Sequence, residues 1–356
     1  MQKILVINPG STSTKIAWYC GETRAWSQNI EHDPAQIKSY AAIYDQLEMR
    51  TKLVRETVEQ QGEKLTELSA VVSRGGLIGR VKAGAYEVND AMVEVLRDHP
   101  VNQHASNLGA AIALSIAREV GVKAYIYDPV TVDEMIDLVR ITGLKEVERF
   151  GQGHNLNMRA AALRLCREKD LDYKASNIIV AHLGGGITLS LHSKGRIIDM
   201  ISDDEGPFSP ERAGALPTYR MLDALQKKGL DHDAMMKLLQ RGGGLTSWFG
   251  TSDTRVVEKM ALEEGNAQAK LVYDAMALSV ARSVAKLAVV VDGHVDQIVL
   301  TGGIAYSDYF DQQIIRRVSF IAPVTVLAGE NEMEALALGA LRVLNGEEQA
   351  SQFQAD

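Results

Sequence analysis

The stretch Lys3-Ile4-Leu5-Val6-Ile7-Asn8-Pro9-Gly10-Ser11-Thr12-Ser13-Thr14-Lys15 decides the fold of this chain. Its four apolar residues at positions 4–7 predict a buried β-strand. Pro9 has no backbone N–H and Gly10 allows positive φ, so the chain must turn there. Residues 16–20 then predict a second strand. The hairpin turn offers amides, hydroxyls and the Lys15 cation, which suits an anion such as phosphate, although an ordinary hairpin with a polar turn has the same pattern.

A second copy of this pattern lies far along the chain, at residues 178–195. Here a predicted strand runs into Gly184, Gly185 and Gly186, and another strand follows. Glycines let backbone N–H groups approach a ligand because no Cβ stands in the way. Two such hairpins predict a duplicated pair of domains that closes on one polyphosphate.

Length and composition fit two soluble domains. A chain of 356 residues is long for a single core, and 46% hydrophobic with 24% charged residues is typical of globular proteins. The formal net charge of −8 argues against binding to nucleic acid or an acidic membrane. Two cysteines, Cys20 and Cys166, predict buried free thiols in a reducing cytoplasm, with a disulfide as the alternative. We predict one domain over residues 1–150 and a second over 151–332, with a helix at about 333–346 that packs back on the first.

Four further residues stand where a sheet or a loop could present them to a ligand. Arg74 ends a predicted strand, and Asp128 follows another that Pro129 terminates. His154 lies in a glycine-rich entry to a helix, and Arg212 lies in a loop rich in Pro and Gly. Each also has a structural explanation by itself, as a salt-bridged arginine, a turn-forming Asp or a structural His. Their function therefore depends on whether they act together.

The common nucleotide and metal motifs are missing from the sequence. It contains no Walker A motif, no dinucleotide-binding fingerprint and no Cys/His cluster with zinc spacing. A polyphosphate site must therefore come from the two glycine hairpins, in a cleft between two domains. The predicted strand at 297–301 runs into Gly302-Gly303, where an adenine or ribose can lie against the backbone.

Taken together, these motifs resemble the acetokinase family, within the actin and sugar-kinase fold superfamily, and most of all its butyrate kinases. They occur in family order over almost the whole chain: residues 8–15, Ser73-Arg74-Gly75-Gly76, Tyr127-Asp128, His154, His182-Leu183-Gly184-Gly185-Gly186, Arg212, Ser252-Asp253-Thr254-Arg255, Thr301-Gly302-Gly303-Ile304 and Glu330-Asn331-Glu332. The resemblance implies an α/β protein with a duplicated ribonuclease-H-like (actin-type ATPase) two-domain fold and an interdomain cleft.

The resemblance also implies a role for each motif residue. The transferring phosphoryl group would be surrounded by Arg74, Asp128, His154 and Arg212. The cofactors would be ATP/ADP and Mg²⁺, with the metal on the side of Asn8 and Glu332. The phosphates and the nucleoside would be bound by Asn8, Ser11, Ser13, Lys15, His182, Gly184, Gly185, Gly186, Asp253, Arg255, Gly302 and Gly303. A homodimer or a higher homo-oligomer is implied as well.

The chain departs from acetate kinases at three positions. Gly185 replaces an asparagine of the second loop, which removes one side-chain contact to phosphate. Arg74 directly precedes its glycine pair, whereas the family arginine lies a few residues before an H-G-G motif. Gly153 replaces the aromatic residue that usually precedes the family histidine. We expect Gly153 to widen the end of the site that holds the acyl chain.

The reaction that fits these residues is reversible, in-line transfer of the γ-phosphoryl group of ATP to butyrate or isobutyrate. A carboxylate is already ionised at neutral pH, so no general base is needed. Acetate or propionate is the alternative substrate. A nucleotide-binding regulator or an ATPase of the same fold is the alternative class, but it has no evident need for Arg74, His154 and Arg212 together. The expected partners are therefore a small carboxylate and a nucleotide, with no nucleic acid and no membrane.

Overall fold

The computed structural model of the chain describes residues 1–354, and its internal contacts divide the chain into two units. The first unit comprises Met1–Asp133 and the chain from Asn331 onward, and the second comprises Glu134–Glu330. Each unit has its own sheet and its own hydrophobic core.

The strands of both sheets are short, as is usual in α/β proteins. They are β1 Lys3–Pro9, β2 Ser13–Cys20, β3 Thr23–Glu31, β4 Ala70–Arg74, β5 Ala85–Glu87, β6 Lys123–Tyr127, β7 Ile178–Leu183, β8 Ile187–Ser193, β9 Arg196–Ile201, β10 Gln297–Gly302, β11 Val324–Ala328 and β12 Ser351–Gln352.

The helices connect or cover these strands. They are α1 Pro34–Ser39, α2 Leu47–Gln60, α3 Asp90–Asp98, α4 Leu108–Val120, α5 Asp137–Arg140, α6 Asn155–Lys169, α7 Thr218–Lys228, α8 His232–Arg241, α9 Gly244–Phe249, α10 Thr254–Leu262, α11 Ala267–Ala288, α12 Asp308–Val318 and α13 Glu332–Leu344.

The sheet of the first unit has the strand order β12-β5-β6-β4-β1-β2-β3. Strands β1, β2 and β3 form an antiparallel meander, while β4 pairs with β1, and β6 with β4, in parallel. The register places Asn8 of β1 opposite Lys15 of β2. The polar residues of the first hairpin thus lie at one end of a sheet whose central strands β1, β4 and β6 are mostly buried.

The sheet of the second unit repeats this topology. Its order is β11-β10-β7-β8-β9, with an antiparallel meander from β7 to β9 and with β10 and β11 added in parallel. The five strands correspond one for one to β6, β4, β1, β2 and β3. The duplication predicted from the two hairpins is therefore confirmed, as is the ribonuclease-H-like fold that the resemblance implies.

The strands of the second hairpin are buried along their whole length. Every residue of β7 and of β8 is buried, because α6 and α11 pack against these strands. The helix α11 contributes eleven buried residues, which explains its apolar sequence. A strand that is buried on both faces has a continuous run of apolar residues, which is why β7 was predictable from the sequence.

The sequence predictions fail where the local pattern is weak. The amphipathic pattern of residues 39–61 predicts one helix, but α2 begins only at Leu47. A short 3₁₀ turn precedes it, in which the Asp45 carboxylate accepts a hydrogen bond from the Ala42 backbone N–H. The polar strand β3 was not predicted, nor were the helices α7 to α10. Most residues of β3, α7 and α8 are exposed or half-buried, so these elements lack the many buried apolar residues that mark a core element in the sequence.

Both cysteines are free, as the sequence predicted. Cys166 is buried in α6, whereas Cys20 at the end of β2 is only half-buried. Among residues 1–354, no helix is both long enough and apolar enough to cross a membrane.

Candidate functional site

The first hairpin brings together the four residues predicted to bind phosphate there. The turn is closed by a hydrogen bond from Gly10 N to Ser13 O of 2.8 Å. Ser11 and Lys15 are exposed and Ser13 is half-buried, so these side chains are open to a ligand. Asn8 lies opposite Lys15 in the register.

A second cluster in the same unit joins Asn8 to two distant residues. Asn8 Nδ2 donates to Glu332 Oε2 over 2.7 Å, and Arg74 Nη1 lies 3.0 Å from Glu332 Oε1. Arg74 is at the end of β4, and Glu332 is in the first turn of α13. The structure thus brings three of the predicted residues together, with Asn8 and Arg74 both bound to the carboxylate of Glu332.

This cluster fits the Mg²⁺ that the acetokinase resemblance implies. Mg²⁺ in kinases is held by one or two carboxylates, with substrate phosphates and waters completing its shell. Glu332 supplies a carboxylate, and the hydrogen bond from Asn8 Nδ2 leaves the Asn8 Oδ1 atom as a further oxygen ligand. Across residues 1–354, no group of three or more His, Cys, Asp and Glu side chains could hold a metal ion by itself.

Asp128 is held in a strained position at the end of β6. It has a φ of +40°, which is rare for a residue other than glycine, and it is buried. Its Oδ1 atom accepts a hydrogen bond of 2.7 Å from Gly84 N, and its own N–H donates to Gly84 O. Such strain is often retained at functional positions.

The second hairpin carries the predicted glycine loop, which a neighbouring segment braces. Gly184 N donates to Gly186 O over 3.2 Å, and Ser209 Oγ donates to Gly185 O over 2.8 Å. Ser209 is completely buried. The loop that the sequence marked by its Pro and Gly residues therefore supports the glycine turn directly.

Arg212 lies against this glycine loop. A Cβ added at Gly186 would come within 3.1 Å of Arg212 Nη1, so a larger residue there would push the guanidinium away from the loop. The guanidinium also pairs with the carboxylate of Asp203. Asp203 thus orients Arg212 within the second unit.

His154 and His182 form a stacked pair beside this loop. Their ring centroids are 3.9 Å apart and their planes differ by 14°. His154 Nδ1 lies 2.9 Å from Thr188 Oγ1, and His182 Nδ1 lies 2.8 Å from Asn157 Nδ2. An amide that donates to Nδ1 leaves the proton of a neutral imidazole on Nε2. In His182 this Nε2 atom lies 3.2 Å from Glu330 Oε1.

The surroundings of Gly153 bear on the expectation that it widens the acyl end of the site, which stays a prediction. A Cβ added at Gly153 would lie 2.7 Å from Met200 Cε and 3.1 Å from Thr188 Oγ1. The methionine therefore occupies the space next to the glycine. A larger side chain at position 153 would require the end of the Met200 side chain to move.

The residues predicted to bind the nucleoside fall into two groups. Gly302 and Gly303 end β10, and Gly302 exchanges two backbone hydrogen bonds with Gly329. Asp253 and Arg255 begin α10 and pair with each other through bonds of 2.9 and 2.7 Å. This pairing lowers the pKa of the Asp253 carboxyl to about 2. No hydrogen bond or ion pair among the described residues joins the two groups.

Several residues that shape the candidate site were not predicted from the sequence. Arg50 donates to the turn of the first hairpin, and Asn157 and Thr188 contact the two histidines. A usable signal existed for Arg50, because it lies on the otherwise apolar face of its amphipathic helix. Asn157 offered the weaker signal of an amide in the first turn of a helix. Thr188 offered none, because a Thr in a strand is ordinary.

Solved structures with the same fold are acetate and propionate kinases. The acetate kinase of Porphyromonas gingivalis matches with a TM-score of 0.81 and 18% identity, covering 97% of this chain and 100% of that one. A propionate kinase from Francisella tularensis matches with a TM-score of 0.76 and 17% identity, over 95% and 99% of the two chains. The chain therefore has the fold of these acyl-acid kinases, an actin-like ATPase fold.

The sequence comparisons identify the family. The model of the acetokinase family matches residues 145–328. A protein named probable butyrate kinase 2 from Caldanaerobacter subterraneus is 45% identical over 98% of both chains. Butyrate kinase 2 of Clostridium acetobutylicum is 43% identical over 99% of both chains. This chain belongs to the acetokinase family.

Substitutions at the adjacent glycines 302 and 303 test how the end of β10 is built. A Cβ at Gly302 would lie 2.4 Å from Leu183 O, and its φ is +94°, whereas nothing lies within 4 Å of a Cβ at Gly303. We expect Gly302→Ala to lower the free energy of unfolding by about 2 to 4 kcal/mol, from strain and overpacking. Gly303→Ala should change it by less than about 0.5 kcal/mol.

Urea unfolding of the two variants and the wild type measures this difference. Gly303→Ala is the matched control, since it makes the same chemical change one residue away. Equal losses of stability in both variants would contradict the described geometry of this turn.

Proposed function

We propose that this protein is a butyrate kinase, which transfers the γ-phosphoryl group of ATP to the carboxylate of butyrate or isobutyrate. The products are an acyl phosphate and ADP, and the reaction is reversible. The observation that carries the proposal is the 43–45% identity to two butyrate kinases over nearly the whole chain.

The chemistry of the reaction matches the residues on the two units. The acid attacks as an ionised carboxylate, so the enzyme needs positive donors for the transferring group and no general base. We assign this role to Arg74, Arg212 and His154. The Asp128 carboxylate already accepts the Gly84 amide, which supports a positioning role for Asp128 in place of proton abstraction.

The nucleotide would be bound by the backbone and polar groups of the hairpins. We assign the phosphates to the first hairpin, through Asn8, Ser11, Ser13 and Lys15, and to the second, through His182 and the glycine loop 184–186. The open face of Gly303, with Gly302, Asp253 and Arg255, is assigned to the nucleoside. Mg²⁺ held by Glu332 and Asn8 would neutralise phosphate charge.

The length of the acid is the finer part of the proposal. The names of the two close relatives favour a four-carbon acid. The acetate and propionate kinases share the fold at less than 20% identity, which makes those acids the nearest alternative. Gly153, with Met200 and Thr188 beside it, stays the position to examine for chain-length preference.

Acyl-phosphate formation tests the proposed function directly. With ATP, Mg²⁺ and a series of acids, we expect hydroxylamine to trap an acyl hydroxamate, with the highest turnover for butyrate or isobutyrate. Arg74→Gln is the control for contaminating kinases and should lower the rate by about 100-fold or more, by analogy with lost oxyanion donors.

The other outcomes of this assay separate the alternatives. Highest turnover with acetate would retain the reaction and reject the four-carbon substrate. Hydrolysis of ATP that does not depend on any acid would reject the kinase and favour a regulator or ATPase of the same fold.

Neutralising Glu332 tests its assignment to Mg²⁺. Glu332→Gln keeps a hydrogen-bond acceptor for Asn8 and Arg74 but loses the charge. We expect the Mg²⁺ concentration for half-maximal activity to rise by about 10- to 100-fold, as for other substitutions around metal sites. The matched control is Glu334→Gln, an exposed carboxylate in the same turn of α13. An unchanged Mg²⁺ requirement in Glu332→Gln would contradict the assignment.

We also infer that the protein is a homodimer. The helices α7 and α8 are amphipathic, yet Leu225 is the one residue of theirs that is buried. Tyr219 is 85% exposed and Leu222 is 52% exposed. Such a face is often covered by a partner chain.

Light scattering after gel filtration measures the oligomeric state. We expect twice the mass of one chain for the wild type and the mass of one chain for Leu222→Glu, since a charge would be buried in the contact. A wild type with the mass of one chain would contradict the dimer.

We place the protein in the cytoplasm, where thiols such as Cys20 and Cys166 stay reduced, and cell fractionation would test this location.

A further inference from the structure

Arg50 of α2 is a buried cation without a carboxylate partner. Its side chain is 0% exposed, and no Asp or Glu of the described residues forms an ion pair with it. Buried charges are costly and are normally paired or fully hydrogen-bonded. Here neutral oxygens of the polypeptide compensate the charge.

Most of these oxygens belong to the turn of the first hairpin. Arg50 Nη1 donates to Gly10 O over 2.9 Å, to Ser13 O over 3.1 Å and to Thr14 Oγ1 over 2.9 Å. Arg50 Nη2 lies 3.4 Å from Ser11 O. One guanidinium therefore contacts three of the four carbonyls from residue 10 to residue 13.

Two neighbours hold the guanidinium in place. Gln46 Oε1 accepts from Arg50 Nε over 3.1 Å and from Nη2 over 2.8 Å. Thr14 Oγ1 lies 2.8 Å from His32 Nε2, and all of these side chains are buried. Burial and the nearby Arg50 lower the pKa of His32 to about 4, so His32 is neutral at pH 7 and adds no competing positive charge.

The positions of the carbonyls determine where the amides point. In a trans peptide the C=O and the N–H of the next residue point in opposite directions. When Gly10 O and Ser11 O point inward to Arg50, the N–H groups of Ser11 and Thr12 must point outward. Both residues are exposed, and neither N–H donates a hydrogen bond to any described residue.

We propose that Arg50 is a positioning residue for phosphate binding: it holds the carbonyls of the turn inward so that the amides of Ser11 and Thr12 face the phosphates of the nucleotide. The inference rests on the proposed function and adds a residue to it. Arg50 does not touch the substrate. It acts through the backbone of the hairpin, in the manner of the anion-binding nests formed by successive N–H groups.

The charge of Arg50 supports the same role. Burial lowers its pKa to about 10, which leaves the guanidinium protonated at neutral pH. A positive charge behind the turn, away from solvent, favours a negative group in front of it. A lysine could keep the charge, but it lacks the planar fork that reaches several carbonyls at once.

The test compares nucleotides that differ in their phosphates. Arg50→Lys should bind ATP and ADP about 10- to 100-fold more weakly than the wild type, as expected when charge-assisted hydrogen bonds are lost. Its affinity for AMP, measured by calorimetry, and its KM for butyrate should stay within twofold. Arg55→Lys is the matched control and should bind all three nucleotides normally. Arg55 is a half-buried arginine of the same helix that pairs with Glu119.

Chemical rescue gives a second, independent measurement. Guanidinium at millimolar concentration should restore part of the ATP affinity of Arg50→Ala and should not affect Arg55→Ala. If Arg50→Ala does not fold, the comparison of nucleotides with Arg50→Lys still decides the question.

Two outcomes would overturn the inference. The first is an ATP affinity of Arg50→Lys within twofold of the wild type. The second is an equal loss of affinity for AMP and ATP, which would mean that Arg50 only stabilises the unit. A wild type that binds ATP but forms no acyl phosphate would overturn the proposed function and leave the inference about Arg50 standing.

Discussion

The antiparallel pairing of two strands across a tight polar turn is the constraint on which both units depend. In β1–β2 and in β7–β8, backbone hydrogen bonds satisfy the strands inside a buried sheet, and the turn leaves the ladder at the sheet end. Amides in such a turn have no strand partner and must meet water, a side chain or a ligand. These unpaired amides can bind phosphate, and the repeated topology supplies two such turns.

The side chains behind the two turns support the turn backbone with different contacts. In the first unit, the buried Arg50 donates hydrogen bonds to the carbonyls of the turn. In the second unit, Ser209 donates to Gly185 and Arg212 lies against Gly186. The duplicated fold therefore conserves the position of the hairpin while its supports differ. This is expected, since supports need only to satisfy polar groups, whereas the turn must fit a ligand.

Much of the fold and part of the site could be predicted from the sequence, for a physical reason. Buried strands and glycine turns are local patterns, so β7 and the loop 184–186 were predictable from consecutive residues. The support by Arg50 and the stacking of His154 on His182 depend on tertiary packing, which no local pattern encodes. The same limit applies to Gly153, whose neighbour Met200 lies in β9 and could not be inferred from the residues around Gly153. Contacts of this kind require the assembled sheet.

One side chain in the second unit connects the ends of two neighbouring strands, β7 and β10. Asn157 contacts His182 Nδ1 at 2.8 Å and Thr301 Oγ1 at 3.4 Å, and Thr301 is paired with His182 in the sheet. The turn after β7, assigned above to phosphate, and the turn after β10, assigned to the nucleoside, are thereby held in one arrangement before any ligand binds. Little conformational entropy then has to be lost on binding, so more of the interaction energy remains as affinity.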